Sequence, residues 1–518
     1  MKKHIVLFCL SALLSLFAFG CGSDSEDSES DSLTGVSISG SSKVKTGKTA
    51  TLKAVPTKTG NPSITYTWSI SAGETGSTLD KTDGESVTVT AGATTGTVTI
   101  GLSAKATIDG TEKTVEAEQF TIEVTEAETI SASDTPTGYA SITPQTENGT
   151  TVTTKTELVN ALKNGGLIYV SGTIDVSEGC LPSTAGGTTD ELDAFVAANS
   201  SYSTYTAFKI AYAGACSSST NDKSSSSPES TYGSVMWTLN KAYGNKIKLS
   251  PASNTTIIGL DGAVIKGGTF QISNKSNITI RNLTIQDAYD PFPHHEEDDG
   301  FNAQWDGICL DGASNIWIDH CTIEDTMKYS NVTTKSSSEK WQTYDGLCDM
   351  KGSSKNIVVS YCVFKNHDKT MLIGSGSSDI SGGYITIHHN KFLNCGQRLP
   401  MTTYPYMHVY NNSFERDSDA YYTQQACIVG RYAAYTYVVE NNYFGSGVKK
   451  CLTTSTDAAG SCYSSGNYFV ESSVSTGLVT STSAKPFTPS YSYELDEASD
   501  VPSIVEENAG AGVCTVVQ

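Results

Sequence analysis

A short pattern recurs along the second half of this chain, and it limits the possible folds more than any other feature of the sequence. Each copy alternates apolar and polar residues over a short run and then turns at a polar position. The copies span residues 277–285, 315–323, 356–364, 384–392, 406–414 and 436–444. A repeat that cannot bury its apolar side alone must stack on its neighbours. The sequence therefore predicts a solenoid of short strands, a parallel β-helix, from about Asn254 onward.

The turn positions of these copies fall in register. Asn390, Asn412 and Asn442 occupy the same position, so their amides are expected to hydrogen-bond to one another along the stack. Cys321 and Cys362 hold this position in two other copies and are expected to be buried thiols, since free cysteine behaves as a small hydrophobe. The copies are unequally spaced, so long loops leave the coils, and we expect the low-complexity insertion at about 183–231 to be one such loop.

Length and charge set broad limits on domain count and on partners. A chain of 518 residues is expected to contain two or more modules. It has 34 Lys and Arg against 55 Asp and Glu, a net charge of −21, which excludes a nucleic-acid partner because phosphate binding needs a broad basic face. An anionic sugar polymer would also be repelled, so such a substrate would need a bound cation or a local basic strip.

The N-terminus carries the features of an exported lipoprotein. Residues 1–20 combine a basic start with an apolar run too short to remain as a membrane anchor, which predicts a signal peptide. Cys21 follows at the end of a relaxed bacterial lipobox and is expected to be lipidated. Residues 21–33 are acidic and polar and predict a disordered tether. This acidic segment resembles the signal that sends some Gram-negative lipoproteins to the outer cell surface. We therefore expect the protein to be anchored in the outer membrane and exposed at the cell surface. An ordinary cleaved signal followed by an incidental cysteine is the alternative.

A separate small module precedes the repeats. Residues 34–126 alternate apolar and polar positions in short runs, for example at 50–55, 64–70 and 87–90, with turns at regular spacing, which is typical of a β-sandwich. The module resembles bacterial immunoglobulin-like modules near the anchors of surface proteins. Since no aromatic cluster is clearly presented on its loops, a spacer is favoured over a carbohydrate binder, by fold analogy alone. A linker to about Pro136 leads into the second domain, residues 137–518.

The cysteine count bears on disulfides. After removal of the signal and acylation of Cys21, eleven of the 13 cysteines remain, an odd number that cannot all pair. Cys451 with Cys462, and Cys180 with Cys216, are plausible disulfides in an exported protein. The sequence forces neither pairing.

Three acids and one arginine stand in segments that a β-helix would place on neighbouring coils. Asp306, Asp345 and Asp349 would converge there as hard oxygen ligands of the kind that Ca²⁺ takes, with Arg398 close by. Carboxylates at turns are often simply solvated, so the argument rests on their occurring together. The group is suited to elimination across a polyuronate.

Several segments together resemble the pectate lyases of polysaccharide lyase family 1. They occur in that family's order and cover residues 287–294, 305–308, 316–320, 349–352, 367–374, 397–400 and 408–412. The resemblance extends over about residues 137–518. It implies an all-β chain with a right-handed parallel β-helix behind the immunoglobulin-like sandwich. It also implies Ca²⁺-dependent β-elimination of (1→4)-α-D-galacturonan, the polymer of pectate, giving 4,5-unsaturated oligogalacturonides. A monomer is expected.

The resemblance also implies roles for single residues. It assigns the three aspartates to the primary Ca²⁺ site, and Arg398 to the base that removes the C5 proton of galacturonate. That proton is weakly acidic until the adjacent carboxylate is neutralised. Lys369 and the bound Ca²⁺ would ease transient deprotonation of the guanidinium, and Lys369 and Arg431 would bind substrate carboxylates.

The chain departs from the family pattern at one place that matters. Thr403 stands where pectate lyases usually carry a second arginine, and Met401 replaces a commonly basic residue. Either Arg431, Lys391 or a loop lysine substitutes, or the enzyme prefers partly methyl-esterified pectin, or its rate is low. A non-catalytic surface protein that binds pectin is the alternative of a different class, and retention of Arg398 and the acids opposes it.

The adjacent pair Asp319 and His320 invites comparison with a catalytic triad, in which an acid orients a histidine. No nucleophile motif accompanies the pair. In the resemblance it belongs to a structural face away from the substrate groove, so no catalytic role is expected.

Overall fold

A computed structural model describes residues 30–297, 299–327, 341–418, 420, 426–432, 434–454, 460–471 and 484–518. The predicted signal peptide, Cys21 and most of the tether lie outside these residues. The described chain divides into two compact units. One contains the residues up to 42 together with 49–124, and the other contains 43–48 together with 125–518.

The first unit consists of two antiparallel sheets. One contains Ser32–Gly40, Thr49–Thr59, Ser86–Thr90 and Thr78–Leu79, and the other contains Ile64–Ala72, Gly96–Ile108, Thr111–Glu116 and Phe120–Thr125. Alternate residues of the longer strands are buried, as expected for sheets that pack one face on a core. Trp68 is among the buried side chains, and its Nε1 donates a hydrogen bond to the Gly84 carbonyl at 2.9 Å. The likeness of this unit to immunoglobulin-like modules stays a prediction.

Three parallel sheets form the framework of the second unit as far as the structure describes it. The ten-stranded sheet contains Thr150–Val152, Gly166–Val170, Thr255–Gly259, Ser276–Arg281, Ser314–Asp319, Lys355–Ser360, Gly383–His388, Met407–Tyr410, Thr436–Glu440 and Ser461–Ser465. The nine-stranded sheet contains Thr173–Asp175, Val264–Lys266, Thr284–Gln286, Thr322–Glu324, Val363–Lys365, Lys391–Leu393, Ser413–Glu415, Tyr443–Phe444 and Tyr468–Phe469. The eight-stranded sheet contains Lys248–Leu249, Thr269–Ser273, Ile308–Asp311, Cys348–Lys351, Leu372–Ile373, Met401–Thr402, Ala426–Gly430 and Lys450–Thr454.

The chain visits the three sheets in a fixed order. Each coil passes through the eight-stranded, the ten-stranded and the nine-stranded sheet before the next coil begins. The predicted right-handed parallel β-helix is confirmed. Because every coil stacks on the one before it, residues far apart in sequence become lateral neighbours at each strand end.

The predicted ladder of amides is also confirmed. The Oδ1 of Asn412 accepts from the backbone nitrogen of Asn390 at 3.0 Å and from its Nδ2 at 2.9 Å. Asn412 donates in the same way to Asn442, and Asn442 to Asn467. At the other end of the ladder, Asn390 Oδ1 accepts from the backbone nitrogen of Cys362 at 2.8 Å. Every buried amide in this row is therefore satisfied by its neighbour, which fixes the register of the coils.

The predicted loop at 183–231 is wrong in part, because it contains two helices. The helices of the second unit are Lys155–Asn164, Asp190–Asn199, Tyr205–Ala215, Gly233–Ile247 and Val501–Asn508, with a 3₁₀ turn at Leu260–Gly262. Thr189 and Thr204 cap the two helices of the insertion by accepting from backbone nitrogens of the first turn, a start signal that the surrounding serines obscured. None of the described helices has the length and apolarity needed to span a membrane.

The remaining short strands lie outside the three sheets. His294–Glu296 and Gly300–Asn302 pair as an antiparallel hairpin. Thr129–Ser131 runs parallel to Thr515–Val517. The first of these two strands lies within the stretch that was expected to be a plain linker. Lys43–Lys45 is the further short strand of this unit.

The proposed disulfides are not formed. None of the four cysteines concerned is part of a disulfide, and all four are buried. Cys451 lies on a strand of the eight-stranded sheet and Cys462 on a strand of the ten-stranded sheet, so each fills the interior from a different side. Cys180 and Cys216 are likewise part of the apolar core. Cys321 and Cys362 are buried thiols, as predicted.

Candidate active site

The predicted site residues gather where consecutive strands of the eight-stranded sheet begin. Asp306 precedes Ile308–Asp311, Asp345 precedes Cys348–Lys351, and Lys369 and Arg398 precede the two strands that follow. Parallel bridges join Gly346 to Lys369, Lys369 to Gln397, and Gln397 to Ala426. These bridges align the starts of four successive coils, which explains how segments far apart in sequence meet at one edge.

Two of the three aspartates form a cradle around Gly346. Asp306 Oδ1 accepts from the Gly346 nitrogen at 2.9 Å, and Asp349 Oδ1 accepts from the Leu372 nitrogen at 2.9 Å. A Cβ added at Gly346 would stand 2.4 Å from Asp349 Oδ1 and 2.8 Å from Asp306 Oδ1. Only glycine fits between these oxygens, so this position keeps the space between the two carboxylates open.

The cradle is electrostatically unfavourable when it holds no cation. Burial, and then the nearby carboxylate of Asp345, raise the pKa of Asp306 from 3.8 to about 6. Burial, followed by Asp306 and Asp345, raises the pKa of Asp349 well above its usual range, against a lowering influence of Arg398. Clustered buried carboxylates of this kind are the donors that hard divalent cations prefer. The residues present therefore fit a Ca²⁺ ion.

Asp345 is the most exposed of the three acids and contacts a cation of the protein. Its side chain is 29% exposed, and its Oδ1 accepts from Lys369 Nζ at 3.3 Å. The same Nζ donates to Asn302 Oδ1 at 2.7 Å. The Lys369 ammonium is thus fixed by an amide from the hairpin and by one of the candidate metal ligands.

Arg398 is held by its backbone and has an uncommitted side-chain nitrogen. Its φ of 61° is in the left-handed region, which is uncommon outside glycine and concentrates at functional sites. Its backbone nitrogen donates to the Ala426 carbonyl at 3.0 Å, and its carbonyl accepts from the Met371 nitrogen at 2.8 Å. Its Nε is buried and has no hydrogen-bond partner among the described residues. The Nε of the guanidinium is therefore available to donate a hydrogen bond to a substrate.

Asp345, Lys369 and Arg398 line one polar cleft of about 440 Å³. The other charged or imidazole-bearing side chains of its wall are Lys223, His294, Glu296 and Lys351. Burial lowers the pKa of Lys351, but the thiol of Cys309 and the carboxylate of Asp306 outweigh it and raise that pKa overall. Although the whole chain is acidic, this cleft presents four cationic side chains.

The hairpin wall of the cleft was missed by sequence reasoning. Glu296 Oε1 faces His294 Nε2 at 2.8 Å and accepts from Asn302 Nδ2 at 3.0 Å, and its Oε2 accepts from Lys223 Nζ at 2.8 Å. These partners lower the pKa of Glu296, with His294 contributing most. The only signal in the sequence was the cluster of polar residues at 294–302, which follows one of the family-like segments.

Arg431 and Thr403 lie at the other end of the strands. Met401 pairs with Val429 and Thr402 with Gly430, so the next residues along, Thr403 and Arg431, come side by side. Thr403 is fully buried, and its Oγ1 donates to the Asp379 carbonyl at 2.7 Å. The Arg431 guanidinium packs over the ring of Tyr432 and donates to its hydroxyl at 3.1 Å. Among the described residues, Arg431 is not part of the cleft wall, but it stands in the row where the family's second arginine would be.

Comparisons with known proteins show which proteins this chain is similar to. A family model described as pectate lyase matches residues 184–514. The pectate lyase of Bacillus subtilis (strain 168) is 34% identical over 282 residues, which are 52% of this chain and 66% of that protein. Pectate lyase E of Dickeya dadantii (strain 3937) is 38% identical over 175 residues, 33% of this chain and 43% of that protein. A solved structure of a mutant Bacillus subtilis pectate lyase superposes with a TM-score of 0.61 at 28% identity, over 74% of this chain and 96% of that one. The chain thus spans less than two thirds of the length of both of these sequence relatives.

Proposed function

The chain belongs to the pectate lyase family, and on this premise we propose that it cleaves (1→4)-α-D-galacturonan by Ca²⁺-dependent β-elimination. The products would be oligogalacturonides with a 4,5-unsaturated end. The observation that carries the proposal is the meeting of Asp345, Lys369 and Arg398 in one cleft beside the buried carboxylates of Asp306 and Asp349.

The three aspartates would hold the Ca²⁺ ion. When bound, this ion would neutralise a substrate carboxylate and stabilise the negative charge that develops next to C5. Asp306 and Asp349 are already fixed by backbone donors, so they offer preorganised oxygens. Asp345, which is more exposed, is the acid best placed to face the substrate.

Arg398 would remove the C5 proton, and Lys369 would bind a substrate carboxylate. The buried Nε of Arg398 supports this role, because it has no hydrogen-bond partner among the described residues and is therefore available to contact the substrate. Lys369 is oriented by Asn302, which lets its ammonium bind an anion at a fixed place. Arg431, which lies beside Thr403, would bind a second carboxylate of the substrate.

The decisive experiment measures the ultraviolet absorbance of the unsaturated product formed from polygalacturonate, with and without chelator. We expect the full chain to be active with Ca²⁺ and inactive in excess chelator. We expect Asp349→Asn to need far more Ca²⁺, whereas the matched change Asp190→Asn, at an exposed helix position, leaves the Ca²⁺ requirement unchanged. Full activity in chelator would contradict the Ca²⁺ role. Binding of the polymer without product would favour the non-catalytic alternative.

A partly methyl-esterified substrate is the second candidate, because the family's second arginine is absent. Thr403 donates a hydrogen bond to a backbone carbonyl and supplies no positive charge. The site therefore has one cation fewer to pair with free carboxylates of the substrate. Initial rates on polygalacturonate and on pectins of increasing methylation distinguish the two substrates. A rate that peaks at intermediate methylation favours the esterified one.

We also propose that the protein is exported, anchored in the outer membrane through a lipid on Cys21, exposed at the cell surface and monomeric. The support for export and anchoring is the lipobox-like sequence and the acidic segment that follows it. These residues lie outside the described part of the chain.

A further inference from the structure

A second cluster of metal-binding side chains lies where the two ends of the lyase unit meet. The strand Thr129–Ser131 runs parallel to Thr515–Val517, and the Thr515 nitrogen donates to the Glu128 carbonyl at 2.7 Å. Glu128 and Cys514 therefore stand next to each other, each directly before one of the paired strands. Their proximity follows from the register of these strands.

His320 brings a third ligand to this place from the coils. It follows Ser314–Asp319, a strand of the ten-stranded sheet, whereas the proposed active site lies on the eight-stranded sheet. One ligand atom each from Glu128, His320 and Cys514 lie within 4.8 Å of one another. Across the described ranges this is the one trio of His, Cys, Asp or Glu side chains that comes this close. The three aspartates of the proposed Ca²⁺ site do not form such a group.

The imidazole of His320 is fixed in the orientation of a metal ligand. Its Nδ1 lies 2.6 Å from Asp319 Oδ2. That carboxylate accepts from Arg281 Nε at 2.8 Å and from Ser360 Oγ at 2.6 Å, so it cannot turn away. Carboxylates commonly hold metal-bound histidines in this manner, which sets the ring orientation and raises ligand basicity.

The other ring nitrogen of His320 has no assigned role in the fold. His320 is 6% exposed, and its buried Nε2 has no hydrogen-bond partner within the described part of the chain. An orphaned buried nitrogen is costly and calls for an explanation such as an ion. Cys514 beside it is 3% exposed and its thiol is free, while Glu128 is exposed. Two residues of the cluster are thus buried, and the third, Glu128, is exposed to solvent.

We propose that Glu128, His320 and Cys514 form a Zn²⁺ site. Thiolate sulfur, imidazole nitrogen and carboxylate oxygen are the ligand types that Zn²⁺ takes, whereas Ca²⁺ takes oxygen. Three protein ligands leave one tetrahedral position, which water reaches from the exposed side of Glu128. The thiol proton of Cys514 is released to solvent on binding. The ion joins the paired strands Thr129–Ser131 and Thr515–Val517 to the coils of the lyase unit, so its role is structural.

The test uses the full chain and reads metal binding directly, so it stands or falls independently of lyase activity. We expect chelator-treated protein to bind about one Zn²⁺ per chain with its melting temperature raised by roughly 5 °C, and Ca²⁺ not to substitute. With Co²⁺ we expect a thiolate-to-metal charge-transfer band that is lost in Cys514→Ala and kept in Cys462→Ala, the matched change at a buried thiol of the β-helix interior.

A variant with little risk to folding completes the test. Glu128→Gln changes an exposed side chain and keeps its size, and we expect it to weaken Zn²⁺ binding about 10-fold or more while the metal-free melting temperature stays unchanged. Absence of the Co²⁺ band in the parent protein, or the same band in Cys514→Ala, overturns the proposal. In that case the three side chains form a metal-free polar cluster.

Discussion

Gly346→Ala is the sharpest test of the carboxylate cradle, because it alters the space between two acids and leaves both acids in place. The added Cβ would stand 2.4 Å from Asp349 Oδ1 and 2.8 Å from Asp306 Oδ1. Ordinary contacts are about 3.5 Å, so the nearer oxygen must retreat by about 1 Å. Each of these oxygens accepts a backbone hydrogen bond, so moving them costs about 1 to 3 kcal/mol in unfolding free energy.

Displacement of ligands by this distance has a predictable effect on the metal. We expect the Ca²⁺ concentration for half-maximal lyase activity to rise about 10- to 100-fold in Gly346→Ala. The maximal rate at saturating Ca²⁺ would fall less, since Arg398 and Lys369 remain. The assay is the initial rate of ultraviolet absorbance increase on polygalacturonate over a Ca²⁺ titration, with a circular dichroism melt of each variant.

Gly376→Ala is the matched control, because a Cβ there meets no described atom within 4 Å. Neither Gly346 nor Gly376 has a positive φ, so both changes are free of backbone strain. If Gly346→Ala folds and its half-saturating Ca²⁺ concentration stays within about two-fold of the control, the metal does not lie between these carboxylates.

Four further outcomes are expected. Arg398→Lys keeps a cation but misplaces the abstracting nitrogen, so kcat on polygalacturonate falls about 100-fold with little change in KM; near-parental kcat would identify another base. Arg431→Ala raises KM for fully de-esterified polymer several-fold at constant kcat, and an unchanged KM would remove it from the substrate path. The pKa of Asp306 is raised from 3.8 to about 6, so the metal-free fold loses stability from this group as the pH rises from about 4 to about 6. Ca²⁺ binds the ionised carboxylate, and it therefore increases the melting temperature more at pH 8 than at pH 5. An equal increase at both pH values would contradict this. Cys21→Ala releases the protein from membrane fractions, and a mutant that still fractionates with membranes would place the anchor elsewhere.

The fold of the lyase unit was predictable because its information is local and repeated. Each copy of the pattern carries its own strand and its own turn residue, so the ladder through Asn390, Asn412 and Asn442 could be predicted from spacing alone. Asn467 continues this ladder, but it was missed because its copy of the pattern is weaker. The coincidence of Asp345, Lys369 and Arg398 followed from the same register, since all three precede strands of one sheet.

The parts that were not predictable depend on contacts between unrelated segments. The hairpin that places Asn302 against Lys369 has no repeat to reveal it. The helices at Asp190–Asn199 and Tyr205–Ala215 are short and lie in a serine-rich stretch. Its low-complexity composition led to the prediction of a loop, although threonines that can cap helices were present. Arg431 was predicted to bind substrate carboxylates, but the sequence does not show that the residue directly follows the strand Ala426–Gly430 and packs on Tyr432.

The pairing of Thr129–Ser131 with Thr515–Val517 imposes an order on biosynthesis. Coils can stack one after another as they leave the ribosome, because each needs only its predecessor. The strand 129–131 must wait for its partner until residues 515–517 have been synthesised. The pairing therefore forms only after the coils between the two strands have left the ribosome. A chain that stops before residue 515 would stack its coils but keep 129–131 as an open edge, available to pair with other molecules.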